Sequence, residues 1–286
     1  MTGEVQTDLT IPKDQSSRFN ARGFPWWLVV IIGFLLLMLL LIMTNPDYNR
    51  AFNFIKGTFG GIQGFQAGGM AGFIGTGITV TIYTTLVAFA IALLIGLLAG
   101  LGRVSTNLFV RNIAITYIEF IRGVPTLVLI FTVALVIVPA VSDALGISGQ
   151  SISTNTRGII ALSIIYGAFL AEVFRAGIES VPPGQTEAAR SLGLNGGQAM
   201  RHVVLPQAIR NVLPALGNDF IAMLKDSSLI SVLAVRDITQ MARLHAGSTF
   251  RFRESYLVLT FLYLSMTIAL SLFLRWYEKR LRQNAR

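Results

Sequence analysis

Residues 77–102 read GITVTIYTTLVAFAIALLIGLLAGLG, with no Asp, Glu, Lys or Arg among them. A helix of roughly 20 residues crosses a hydrocarbon layer, because each residue adds about 1.5 Å of rise. Three further uncharged runs occupy residues 24–44, 123–142 and 255–274. One soluble core has no use for four such runs, so the chain reads as an all-α integral membrane protein. Composition agrees: of 286 residues, 53% are hydrophobic and 13% charged, against about 25% charged in an ordinary soluble domain. Two weaker segments complete the set. Residues 158–171 are uncharged and are extended by Glu172 and Arg175; residues 211–235 are apolar apart from Asp219, Lys225 and Asp226. Charge inside a bilayer is costly and marks function. Both segments are expected to span, with a re-entrant or interfacial segment as the alternative, and the expected total is about six transmembrane helices.

Absences narrow the chemistry. The chain has no cysteine, which removes disulfides, thiolate metal sites and cysteine nucleophiles. His202 and His245 are far apart and lack ligand-type neighbours, so no metal site and no catalytic residues are expected. A membrane-embedded hydrolase would need a Ser–His pair, paired Asp residues or a motif such as His-Glu-x-x-His. The net charge of +9 does not call for nucleic acid, because excess Arg in a membrane protein follows topology.

With the N-terminus inside, fifteen of the 23 Lys and Arg fall in cytoplasmic segments and seven outside, leaving Lys225 in the membrane. The positive-inside rule supports this orientation, and an even helix count places both termini in the cytoplasm of a multi-pass cell-membrane protein. One stretch misfits. The outer loop 236–254 carries Arg236, Arg243, Arg251 and Arg253, which Asp237 and Glu254 offset only in part. Residues 1–23 read as a flexible cytoplasmic tail. Residues 24–44 form a permanent helix with Trp26 and Trp27 at its start, where indoles favour the membrane interface. Residues 45–74, rich in Gly and Phe, read as an extracytoplasmic linker, or as a segment lying on the membrane surface. Residues 75–277 hold the compact bundle and 278–286 a second cytoplasmic tail. Gly96 and Gly100, then Gly167, Ala168 and Ala171, are small-residue stripes suited to close helix packing in lipid.

The longest polar stretch inside the bundle, residues 179–207, reads ESVPPGQTEAARSLGLNGGQAMRHVVLPQ. Pro182 and Pro183 should end one helix and open another. Glu187 then falls in the first turns, where a carboxylate suits the helix dipole. Ala188 and Leu192 lie four apart, Gly193, Gly196 and Gly197 break the helix, and Pro206 marks the approach to the next span. Structured insertions of this length between membrane helices have a task. A short helix with a small apolar face suits a cleft in another protein.

These residues carry a resemblance. Glu187-Ala188-Ala189, three residues, Gly193, nine residues, then Val203-Val204-Leu205-Pro206 resembles the E-A-A signature of ABC importer permeases, with Val203 where Ile is usual. Glu119 to Thr126 (EFIRGVPT) is similar to the E-x-x-R-G-T-P stretch of the polar amino acid branch. Gly167 to Ile178 (GAFLAEVFRAGI) is similar to its G-A-Y-x-x-E-x-x-R-G-G-I, with Phe169 and Ala176 as departures. Gly184-Gln185 and Lys225-Asp226-Ser227-Ser228-Leu229 also resemble that branch, and the likeness runs from about Gly75 to Leu281. The resemblance implies a type I ABC importer transmembrane domain with one extra N-terminal helix. It implies a coupling loop at 180–207, in which Gly184, Gln185, Glu187, Ala188, Ala189, Gly193, Leu205 and Pro206 serve ATPase docking. It also implies two ATPase subunits, a second permease copy or homologue, an extracytoplasmic substrate-binding protein and a polar amino acid as cargo. ATP and Mg belong to the ATPase, since none of the four lysines follows a glycine as a P-loop requires. Asp219, Lys225, Asp226, Ser227 and Ser228 are the substrate-path candidates, with a purely structural reading beside them. Glu119 with Arg122, and Glu172 with Arg175, are gate or structural pairs; Glu119 and Arg122 are expected at the inner end of the third span. Rival readings are a permease for another small solute, or a channel or scaffold without ATP coupling.

Overall fold

A computed structural model describes residues 26–61, 63, 66 and 74–283, and every regular element among them is helical. The tails 1–23 and 284–286 and most of the glycine-rich run expected as a linker lie outside the described residues. Helix α1 covers Trp26–Thr44 and α2 covers Pro46–Lys56, with a bend of 103° between them. Pro46 has no N–H to continue α1, and Asn45 caps α2 by accepting the Asp47 N–H at 2.9 Å. Part of the segment expected as a linker is therefore a helix.

Helix α3 is Ile78–Arg103, α4 is Leu108–Gly123 and α5 is Thr126–Ala144, the last containing a π-helical turn at Thr132–Ile137. Val124 and Pro125 separate α4 from α5 in extended conformation, as the residue before a proline prefers. Helix α6 is Thr154–Glu179, with Ser153 accepting the Thr156 N–H at 3.1 Å as its cap. After α7 (Pro183–Ser191), a turn at Gly196–Ala199 and a π-helical turn at Met200–Val204 lead into α8 (Leu205–Asp226). A 3-10 turn, Ser227–Leu233, follows, then α9 (Ile238–Thr249) and α10 (Phe252–Gln283).

Among the described residues four helices are long and apolar enough to cross a membrane: α3, α5, α6 and α10 up to Arg280; α1 passes the same test only when the bent α2 is counted with it. The remaining expected span, 211–235, is divided. Its helical part ends at Asp226, where Lys225 and Asp226 meet the 3-10 turn, and Asn211, Asn218 and Asp219 dilute its apolar content. Large aliphatic side chains such as Leu36 on α1, Leu94 and Leu98 on α3, Val136 on α5 and Leu272 on α10 are exposed. In water such surfaces would drive aggregation; in a bilayer they meet hydrocarbon.

The centre of the bundle is the α3–α6 contact. A Cβ on Gly96 would stand 2.7 Å from Leu170 Cβ, one on Gly100 2.9 Å from the Ala171 carbonyl oxygen, and one on Gly167 2.6 Å from Ile95 Cγ2. The small-residue stripes thus let two backbones approach to distances no larger residue permits. Leu162, Ile165, Leu170, Met223 and Ile230 fill the core around this contact. A second core at one end joins Met38, Ile42, Tyr48, Ala51 and Ile55 of α1 and α2 to Ile238 and Ala242 of α9 and Val258 and Leu262 of α10.

Replacing Gly96 by Leu forces these two helices apart. It should cost at least about 1–3 kcal/mol, the usual penalty of overpacking. The expected outcome is a clear fall in thermal unfolding temperature in detergent, while Leu94→Met on the exposed face of the same helix leaves it unchanged. Equal unfolding temperatures for both variants would refute the close-contact account.

Candidate functional site

Helix α7 is held to the bundle by few side chains. Ala189 is buried, and Val181, just before α7, joins Ile178, Val204 and Ala208 in a small apolar cluster. Ala189, expected with Ala188 to serve docking, instead turns inward and is buried. Ala188 and Leu192 face outward, together with Gly184, Gln185, Glu187 and Arg190. Gly193 closes the helix at φ +88°, a left-handed conformation that glycine adopts without strain. Its N–H donates to the Arg190 carbonyl at 3.0 Å, and the Leu194 N–H donates to that of Ala189 at 3.2 Å. Gly196 and Gly197 begin a new helix instead of merely breaking one. Asn195 accepts the Gln198 N–H, and the Gln198 side chain accepts the Asn195 N–H, both at 2.9 Å. This reciprocal capping box satisfies two free donors at once. Leu205 and Pro206 open α8, and Pro206 stands in its first turn, where a missing N–H costs little. The loop is therefore a folded, outward-facing unit whose exposed surface mixes small, polar and charged groups.

At the same end of the bundle a chain of ion pairs links three helices. Arg103 at the end of α3 bonds Glu172 of α6 and lies 3.6 Å from Glu119 of α4. Arg175 bonds Glu172 at 3.0 Å and also Glu179. The expected Glu119–Arg122 pair is absent. Both residues sit on α4, a helix separate from the third apolar run, and Glu119 turns to Arg103 instead; Arg122 has no ion-pair partner among the described residues. Sequence reading missed Arg103 because its partners lie on α4 and α6, and spacing within one helix cannot reveal partners on another. A cavity of about 530 Å³ opens beside this network, lined by Glu172, Arg175, Ser180 and Asn211 among others. Asn211 donates to Ser180 Oγ at 2.9 Å.

The polar groups of α8 separate into different roles. Asp226 accepts a hydrogen bond from the Tyr166 hydroxyl of α6 at 2.8 Å. Ser227 is fully buried, its hydroxyl donating to the Leu224 carbonyl at 2.7 Å, which is a structural bond. Lys225 is exposed, while Asp219 and Ser228 are half-buried. The structure thus brings Asp226 to α6 and leaves Lys225 facing away from the core of this single chain.

At the opposite end, the backbones of residues 77 and 236–238 meet. The Gly77 N–H donates to the Arg236 carbonyl at 2.8 Å, and the Ile238 N–H donates to Thr81 Oγ1 at 3.2 Å. Asp237 caps α9, accepting the Gln240 N–H at 2.9 Å and the Thr239 N–H at 3.2 Å. Its side chain is entirely buried, and that burial pushes the carboxyl from 3.8 up to about 6, although the cap bonds act in the other direction. Among the described residues no group of His, Asp and Glu is arranged to hold a metal ion.

Apolar spans around a folded polar loop define a multi-pass membrane protein. Residues 92–283 match the model of the binding-protein-dependent transport system inner membrane component. The chain belongs to that family. It is 36% identical to a probable glutamine ABC transporter permease protein of Bacillus subtilis, covering 71% of this chain and 91% of the relative. It is 34% identical to the histidine/lysine/arginine/ornithine transport system permease protein of Escherichia coli, covering 74% and 94%. The crystal structure of an amino acid ABC transporter with histidines superposes with a TM-score of 0.63 at 40% identity, covering 71% of this chain and 92% of that one.

Because Asp237 releases its proton near pH 6 in the folded chain and near 3.8 when unfolded, the folded state binds more protons between those values. Its stabilising contribution is complete below about pH 4 and is lost as pH rises through 6. Asp237→Asn keeps a capping oxygen but cannot ionise. Its unfolding temperature relative to the parent should therefore be higher at pH 8 than at pH 5, by the equivalent of about 1–2 kcal/mol. A difference that does not change with pH would contradict the buried-carboxyl account.

Proposed function

We propose that this chain is the membrane-spanning half of an ATP-driven importer for a polar amino acid, working with a second permease subunit, a pair of ATPase subunits and an extracytoplasmic binding protein. The observation that carries the coupling part is α7: a short helix, held through Ala189, that presents Gly184, Gln185, Glu187 and Ala188 to solvent. The small residues let a partner surface approach closely, Glu187 offers it a carboxylate, and Gly193 provides the turn that returns the chain. Leu205 and Pro206 start the helix that leads back into the membrane. The substrate class rests on the relatives, several of which are named for glutamine, cystine or basic amino acids.

In this reading ATP and Mg act on the partner ATPase, whose closure moves α7. Movement of α7 passes through the apolar cluster of Ile178, Val181, Val204 and Ala208 to α6 and α8. Helix α8 and the 3-10 turn after it carry Asp219, Lys225, Asp226 and Ser228, which are proposed to line the amino acid path at the junction with the second subunit. The Glu172–Arg175 and Arg103–Glu119 contacts lie at the α7 end of α6 and α3. That end is cytoplasmic, as are both termini. Alternating access then reduces to rocking the two halves about a fixed midplane site.

The test is reconstitution of the complete assembly in liposomes, with ATP hydrolysis followed against a panel of amino acids. A polar amino acid presented by its binding protein should stimulate hydrolysis. Glu187→Ala should leave the assembly intact but reduce stimulated hydrolysis and uptake by about tenfold, the effect of about 1.4 kcal/mol of lost coupling. Full stimulation in the Glu187→Ala assembly would sink the docking role assigned to this residue.

A further inference from the structure

The outer face carries positive charge that topology disfavours and that the importer reading has not used. Two of the four arginines in 236–254 are accounted for: Arg251 pairs with Asp47 of α2, and Arg253 with Glu254 at 3.1 Å. Arg157 donates to the carbonyls of Gly149 and Ile152 at 2.7 and 3.1 Å. Arg50, Lys56, Arg236 and Arg243 are all exposed, and no carboxylate pairs with any of them among the described residues. The acids of this face are already engaged. Asp47 and Glu254 are paired, Asp237 is buried, and Asp143 accepts the Gly149 N–H at 2.7 Å.

Arg50 and Lys56 share a built platform. Tyr48, Ala51 and Ile55 recur along one side of α2 and are buried in the second core. Asn49, Arg50, Asn53 and Lys56 form the opposite, exposed side, and the Asn53 amide donates to the Asn49 side chain at 2.8 Å. The helix is fixed at both ends. Asp47 holds Arg251 and the Asn49 amide donates to the Ile42 carbonyl at 3.1 Å; Gly57 lies so close to Thr76 that a Cβ would stand 2.2 Å from its carbonyl oxygen. The buried side is used up on protein, and the free side is polar apart from Phe54, whose partly exposed ring lies 5.4 Å from that of His245. At the same end of the bundle a cavity of about 440 Å³ is lined by Thr76, Asn155 and Arg236 among others. The platform also precedes residue 92, where the family match begins.

We infer that α2 is a docking platform for an acidic surface on the extracytoplasmic binding protein, with Arg50 and Lys56 as its charged contacts. The inference rests on the importer reading. A rigid cationic face on the outer side speeds capture of an acidic partner and sets its register, and the effect weakens with salt. It also accounts for charge retained on the side of the membrane where the positive-inside rule selects against it.

The test uses the assembly in neutral-lipid nanodiscs and the binding protein that stimulates its ATP hydrolysis. The concentration of binding protein giving half-maximal stimulation should rise about tenfold in Arg50→Glu/Lys56→Glu at low salt, with the maximal and the unstimulated rates unchanged. Added salt should weaken the parent and close the gap between the two. Identical titrations overturn the inference while leaving the importer reading in place. A defect that appears only when anionic lipid is added assigns the platform to phospholipid headgroups and also overturns it. If no binding protein stimulates the parent assembly, the importer reading fails, and this inference falls with it.

Discussion

Backbone amides and carbonyls inside hydrocarbon have no water to bond, so each must find a partner within the chain. This requirement organises the molecule. It makes every long apolar run a helix, and it confines irregular backbone to places where other groups supply the missing bonds. The α1–α2 bend is covered by Asn45, the start of α6 by Ser153, and the junction of α3 with α9 by Thr81 and the Gly77 N–H. The end of α8 tightens into a 3-10 turn, with Ser227 bonding the Leu224 carbonyl. Each of these departures from a straight helix is matched by a named polar side chain or a backbone pair.

Once the backbone is satisfied, association of the helices depends on how closely they approach, because lipid chains are as apolar as the side chains they would replace. Gly96, Gly100 and Gly167 bring α3 and α6 into backbone contact, and α4, α5 and α8 gather around that pair. The two ends of the bundle then differ in chemistry. One end is an ionic network with α7 beside it. The other is a second apolar core that binds α1 and α2 to α9 and α10. A mobile membrane machine needs such an arrangement: a rigid centre, with separable contacts at each face.

Much of this was legible in the residues. The runs without charge gave the class, Pro182 and Pro183 gave the break before α7, and the Glu187 to Pro206 spacing pointed to the family. Readings that failed did so for identifiable reasons. The Glu119–Arg122 pair was inferred from spacing along one helix, yet Arg103 from another helix is closer to Glu119. The glycines at 196 and 197 looked like breakers, yet Asn195 and Gln198 supply the capping bonds that let a helix begin there. The apolar face of α2 was hidden because its period covers only three buried residues in a segment otherwise rich in glycine and polar groups.

The sequence by itself therefore determined the solvent of this protein, its helical class, its family and the position of its folded polar loop. These follow from composition, length and local spacing, which do not depend on what lies nearby in space. Only the tertiary structure decided which charges meet, which face of α7 is free, how the outer arginines divide between paired and unpaired, and that α2 is a fixed platform. Those properties depend on distances between residues far apart in the chain. Asp47 and Arg251, or Tyr166 and Asp226, become neighbours only after the helices have packed.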